Sequence, residues 1–357
     1  MPLRWILAFI GVVSVTFAAG GDDSAIADPY WSLIHDYAVL EDLKVTAEQR
    51  GKIRAVLDPL DVKCFPLRNK SADEAKQGFA AATDEARQEI AKILKPQQHQ
   101  RLAQIVVRSQ GPAALLRDDV AKKLNLEESQ RTTIREAVAS ARDAKNKLQG
   151  DRRASKTDTA AAEKEWTEIN NRERDAVNAT LTDEQKQKLA GMIARDFDVA
   201  KLGRTAFKTP DPSGDSGSWL NSQPLTAEQL RGHVLVVHFF AFGCINCIHN
   251  YPTYREWQRD LAGRDVQLIG IHTPETKSEH NVETLKSKLK AEELHFPVLV
   301  DNDRVHWNAF GNSMWPSVYV IDKQGYMRSF WAGELRWQGA TGDKQMKQMI
   351  EALLAEK

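Results

Sequence analysis

Cysteine is scarce in this chain, with three in 357 residues. That excludes a small fold held together by disulfides and leaves the cysteines for chemistry or packing. Neither charge is in excess, since 49 Lys and Arg balance 49 Asp and Glu. No broad basic field is therefore expected to draw nucleic acid or acidic lipid, and neither is counted among its partners. Four-ligand zinc spacing is missing, and no EF-hand follows Asp301-Asn302-Asp303. Ile248, not His, follows the single CxxC, which excludes covalent haem. Copper through His249 or Met314 has no ligand spacing to demand it. The sequence thus points to no metal and no cofactor. Apolar runs are also short, and none reaches the roughly 20 residues that span a bilayer.

What is present begins with Arg4, a brief apolar stretch Trp5–Phe17 and the small-residue triplet Ala25-Ile26-Ala27. This pattern predicts a cleavable signal peptide over 1–27, with Asp28 as the mature start; an uncleaved anchor is the alternative. The mature chain is then free of the membrane, in the periplasm or another extracytoplasmic compartment where disulfides form.

Two patterns divide the remainder. Residues 28–200 are rich in Ala, Gln, Glu, Lys and Arg, and apolar residues recur at helical spacing, as in Ile53, Val56 and Leu57. An all-helical domain is expected there. It also repeats: 39–53 resembles 119–134, and 93–105 resembles 180–192, with Gly111-Pro112 between the copies. Two related helical hairpins follow from that order. Val45-Thr46-Ala47-Glu48-Gln49 and Leu181-Thr182-Asp183-Glu184-Gln185 read as capping boxes, and Pro96 suits a first helical position. Residues 201–218 are rich in Pro, Gly and Ser and read as a linker. From 219 to 357 the pattern is α/β. Strands are expected over 233–240, 266–272, 296–300, 317–321 and 327–331, and helices over 245–261, 282–289 and 345–354. Strands alternating with helices imply a mixed central sheet covered on both faces.

Cys244-Ile245-Asn246-Cys247 lies between a buried-type strand and a helix start. Three residues apart on a first turn, the two sulfurs can reach bonding distance, and the helix N-terminus favours the thiolate of the first. Cys244 is then the attacking thiol and Cys247 the resolving one. A purely structural disulfide and a metal site are the other uses of such a pair. Cys64 stands alone in the helical half, as a buried small residue or as a third thiol.

The segment VLVVHFFAFGCINCIHNYP (234–252) resembles the active-site stretch of thioredoxin-like proteins of the TlpA/ResA class. It is especially similar to the CINC subgroup seen in DipZ-type and NHL-repeat-associated thioredoxin domains. The likeness runs on through 266–275 and 296–325 and covers about 219–357. It implies a thioredoxin-like fold, a redox-active Cys244–Cys247 disulfide, and protein thiols or disulfides as partners. It also implies a cis-proline at Pro316, with the Trp315 backbone presented to substrate. Three positions depart from the family. His238 replaces a buried carboxylate and is a candidate proton relay or a satisfied strand histidine. Ile245 and Asn246 separate the cysteines, so the redox potential is open. Gly243 replaces a Trp, leaving Phe242 or Trp315 to supply apolar contact. The helical half resembles the LTxxQ repeats of Spy/CpxP-like periplasmic proteins. That implies binding of unfolded or envelope proteins, although Leu225–Gln229 matches the motif equally well outside it.

Three readings remain. One is an exported thiol–disulfide oxidoreductase. Another is a peroxiredoxin-like peroxidase, which lacks the Thr expected three residues before Cys244. The third is a non-enzymatic chaperone or stress sensor. His272 and Glu334 are expected in rim packing and hairpin capping.

Overall fold

A computed structural model describes residues 28–153, 158–214 and 218–356; the expected signal peptide lies outside the described residues. No helix among them is long and apolar enough to cross a membrane. The chain gathers into two compact units that do not divide at residue 200. One comprises Leu94–Arg204 with the described residues up to Thr46, and the other joins Ala47–Ile93 to Thr205–Lys357.

The first unit is helical. The long helices Glu128–Arg153 and Thr159–Thr180 pack along one another. Ala141, Leu148, Ala162 and Ile169 are buried between them, at the helical spacing the sequence carries. Thr182 and Gln185 form the expected reciprocal cap of helix Asp183–Met192, and Pro96 opens helix Pro96–Gln110. Arg101 ties this unit together by pairing with Asp42 at 2.7 Å and Asp196 at 2.8 Å. Gln130 donates to the Thr180 carbonyl at 2.8 Å. In the other unit the aligned Gln49 donates to the Ile93 carbonyl at 3.0 Å.

The second unit is built on a mixed sheet of seven strands. They are β1 (Phe207–Lys208), β2 (Ser218–Leu220), β3 (Val234–Phe240), β4 (Val266–His272), β5 (Val298–Val300), β6 (Ser317–Ile321) and β7 (Tyr326–Ala332). Their order is β1-β7-β6-β3-β4-β5-β2. β3, β4 and β5 run parallel, while β6, β7, β1 and β2 pair antiparallel. β3 is central and wholly buried, which is why it is apolar on both faces, with His238 the one polar residue, rather than alternating. Val234, Val236 and Phe240 face the helix Ile245–Asp260; Leu235, Val237 and Phe239 face the opposite layer.

That opposite layer explains why residues 47–93 leave the helical stretch. Phe65, at the end of helix Ala47–Cys64, meets Phe310 edge-on at 5.9 Å, in one cluster with Phe239, Trp307 and Tyr319. Burying a ring of this size is worth about 2–3 kcal/mol. Polar groups fix the same helix. Arg54 donates to the Ala206 carbonyl, Asp61 accepts from the Lys208 amide, and Asp58 accepts from the Tyr326 hydroxyl. The middle of the expected 201–218 linker is therefore held. Ala206 is buried and β1 pairs with β7, because backbone groups there find partners on both sides.

Candidate active site

Cys244 caps the helix Ile245–Asp260, and Cys247 lies on its first turn. The Cys247 and Ile248 amides donate to the Cys244 carbonyl, both at 3.1 Å, so the turn closes on the first cysteine. Both residues are free thiols, giving the site in its dithiol form. Cys244 is 9% exposed and Cys247 is fully buried.

The two sulfurs have opposite electrostatics. The Cys247 thiol hydrogen-bonds to Cys244 and is the largest influence lowering its pKa; burial opposes this, and the amides of Cys247 and Asn246 assist. Cys244 settles at about 7. Burial drives Cys247 far up, and its bond to Cys244 adds to that. At neutral pH about half of Cys244 is thiolate while Cys247 keeps its proton. Alkylation by iodoacetamide is expected to titrate with a midpoint near 7. A midpoint near the ordinary value of 9 would show the geometry to be ineffective.

Neighbouring residues hold the dithiol in place. Gly243 donates to Glu279 Oε1 at 2.7 Å. A Cβ at Gly243 would stand 2.8 Å from that oxygen, so the carboxylate occupies the space where a larger residue would begin. Glu279 is 3% exposed and also accepts from the Glu275 and Thr276 amides and the Thr276 hydroxyl. On the other side, Asn250 accepts from the Leu335 amide at 2.7 Å and donates to the Gly333 carbonyl. His249 pairs with Glu334 at 2.7 Å and stacks on Trp337, with ring centroids 4.6 Å apart. Glu334 thus reaches the CxxC helix in addition to bounding the last hairpin.

The Trp315–Pro316 bond is cis, and Pro316 precedes β6, whose Ser317 pairs with Phe239 on β3. Trp315 turns its ring inward: Nε1 donates to the Thr273 carbonyl at 3.0 Å, and the ring stacks on Trp307 at 3.9 Å. Its side chain is therefore committed to packing. Phe242 is half-buried and stacks on His272, with centroids 5.4 Å apart. Ile245 is 60% exposed and Met314 is 49% exposed.

His238 is 1% exposed and boxed by aromatic rings: Tyr254 stacked at 4.1 Å, Phe296 edge-on at 4.8 Å and Phe240 at 5.4 Å. Burial pushes its pKa down to about 3, so it is neutral at working pH. Its Nδ1 has no hydrogen-bond partner among the described residues. His272 is likewise pushed down by burial, to about 4. Burial pushes Cys64 up to about 12, which makes it an unreactive thiol. No cluster of three or more His, Cys, Asp or Glu suited to a metal ion occurs among the described residues.

Two supporting residues escaped sequence reasoning. Glu279 sits in the charged stretch Lys277–His280, where solvent exposure is the default expectation. Asn250 carried a signal: it follows Cys247 by three and shares its buried face with Tyr251, Tyr254 and Trp257.

Sheet order and a dithiol on a helix start define the C-terminal half as a thioredoxin-like domain. Residues 205–330 match the AhpC/TSA family. Protein DipZ of Mycobacterium tuberculosis (strain CDC 1551 / Oshkosh) is 32% identical over 128 residues, which is 35% of this chain and 18% of DipZ. The chain therefore spans under a fifth of that relative. Thiol-disulfide oxidoreductase YkuV of Bacillus subtilis (strain 168) is 29% identical over 148 residues, 41% of this chain and 94% of YkuV. A thiol-disulfide isomerase from Corynebacterium glutamicum aligns with 39% of this chain and 92% of its own, at 26% identity and a TM-score of 0.34.

Proposed function

We propose that this protein is a thiol–disulfide oxidoreductase acting on protein thiols and disulfides. The observation that carries the reading is the split between the two sulfurs, one ionised near neutrality and one held protonated behind it. The Cys244 thiolate attacks one sulfur of a partner disulfide. An S–S bond forms to Cys244, the partner's S–S bond breaks, and the departing partner sulfur takes a proton. Cys247 then gives up its proton to solvent and attacks Cys244 Sγ. The Cys244–Cys247 disulfide forms, the mixed disulfide breaks, and the second partner sulfur leaves and is protonated. The partner gains two electrons and the protein dithiol loses two. The same steps run backward when the disulfide form meets a partner dithiol.

Cys247→Ser separates the two steps. The variant is expected to accumulate a mixed disulfide with insulin, seen as a mass shift that dithiothreitol reverses. Absence of any adduct, with Cys244 still alkylating, would sink the assignment of Cys247 as the resolving thiol.

Two finer points belong to the same reading. The Arg4, Trp5–Phe17 and Ala25–Ala27 pattern supports export with cleavage before Asp28, which N-terminal sequencing of the secreted protein tests. The LTxxQ-type segments support a partner-binding role for the helical half. Suppression of client aggregation by the full chain with Cys244 and Cys247 replaced by serine tests it independently of redox activity.

A further inference from the structure

Part of the helical half lies in the same unit as the dithiol, and its end reaches the loop beside it. Helix Ala47–Cys64 runs into a tight turn, Phe65–Asn69. Arg68 Nη1 donates to the Phe310 carbonyl at 3.4 Å and to the Tyr319 hydroxyl at 3.1 Å. That hydroxyl donates onward to Asn312 Oδ1 at 2.7 Å. Asn69 Nδ2 donates to the Asn312 carbonyl at 3.0 Å. The Arg68 guanidinium also lies over the Phe330 ring, 4.4 Å from its centroid. Gly311 has φ +60°, and a Cβ there would fall 2.2 Å from the Phe65 carbonyl oxygen. The two backbones are in contact, and only glycine permits it. Phe310, Gly311 and Asn312 are thus held from one side by a single turn.

The residues that follow are Ser313, Met314, Trp315 and Pro316. Trp315 packs against the cluster containing Cys244 and Cys247. The Pro316 carbonyl accepts from the Gly333 amide at 2.8 Å, and the Gly333 carbonyl accepts from Asn250 on the CxxC helix. The turn therefore grips the start of a short loop whose other end packs against the core cluster that contains the dithiol. Exposed Met314 lies within that loop.

We propose that Arg68 and Asn69 are positioning residues that fix the loop Asn312–Pro316 as a preformed ledge for the polypeptide around a partner's disulfide. This rests on the thiol–disulfide reading. A loop already ordered pays no ordering entropy when a polypeptide lies along it, so loosening it weakens protein substrates. A small disulfide that touches only Cys244 gains nothing from the ledge.

The test uses the full chain and two substrates: insulin, turned over with dithiothreitol as reductant, and the small aromatic disulfide 5,5′-dithiobis(2-nitrobenzoate), met in single turnover by the pre-reduced protein after dithiothreitol is removed. For Arg68→Ala the insulin KM is expected to rise about tenfold, and for exposed Asn69→Ala about threefold, with kcat within about twofold; a charged hydrogen bond lost is of the first size and a neutral one of the second. The rate with the small disulfide and the pH midpoint of Cys244 alkylation stay at wild-type values. Insulin KM unchanged in both variants overturns the proposal. So does an equal loss on both substrates in Asn69→Ala, a surface truncation that leaves the test intact if Arg68→Ala fails to fold. A wild-type chain inert toward both disulfides would sink the oxidoreductase reading itself, a result separable from either.

Discussion

Cys244→Ser is expected to abolish disulfide reduction, with the insulin rate falling at least about 10³-fold, to the level of dithiothreitol alone. A serine hydroxyl stays protonated in the pH range where the Cys244 thiol ionises, so no nucleophile remains at the helix start. Cys247 cannot substitute. It is fully buried, and burial holds its proton in place. Serine is close in size to cysteine, so the fold should lose little stability, and circular dichroism at wild-type strength would establish that. The measurement is insulin turbidity followed beside the wild type. Residual activity above about a tenth of wild type would place the reacting sulfur elsewhere. Cys64 is then the other candidate, and burial raises its pKa to about 12.

Glu279→Ala should produce the largest loss of stability among substitutions near the site. The carboxylate takes four donors: the amides of Gly243, Glu275 and Thr276 and the Thr276 hydroxyl. Several of these lie near solvent and regain water, so the net cost is about 3 kcal/mol rather than the sum of four separate bonds. For a unit of this size that lowers Tm by roughly 6–12 °C. The effect depends on pH in a defined sense. Burial raises the Glu279 pKa, but the amides of Thr276 and Gly243 outweigh it, and the folded value lies below 4.5. A depressed carboxyl contributes its stability in full above 4.5 and loses it as pH falls through the folded value. Wild type should therefore lose Tm on acidification below about pH 4.5, and Glu279→Ala should lack that share of the slope. A fall of less than 2 °C at pH 7, or an unchanged acid slope, would count against the role.

Much of the redox half was legible because its signals are local. A buried β-branched run before Cys244 and a helix after Cys247 appear as β3 and helix Ile245–Asp260, within a residue of expectation. The hairpin of β6 and β7 was similarly placed, and the closing helix Gly342–Ala355 begins three residues before its expected start at 345. What failed was long-range. β1 is only two residues long and exists because β7 offers it a partner, so no periodicity announces it. Residues 47–93 carry a helical pattern that fits either unit. The choice is made by Phe65, Arg68 and Asp61 finding partners more than a hundred residues away. His238 illustrates a different limit. The position was identified from sequence, but its environment was not, because the rings that box it come from β3, the CxxC helix and Phe296.

The path of the chain has a consequence for how the protein is made. Among the described residues the backbone passes between the two units after Thr46, after Ile93 and after Arg204. Arg68 is separated from Phe310 by 242 positions. During synthesis, the ring of Phe65 and the aliphatic side of its helix therefore wait, uncovered, until nearly the whole polypeptide has emerged. Chains stopped short of Tyr319 keep that surface open to proteases and to holding factors. Transplanting the redox region by one cut near residue 218 leaves behind both β1 and the segment that seals the sheet.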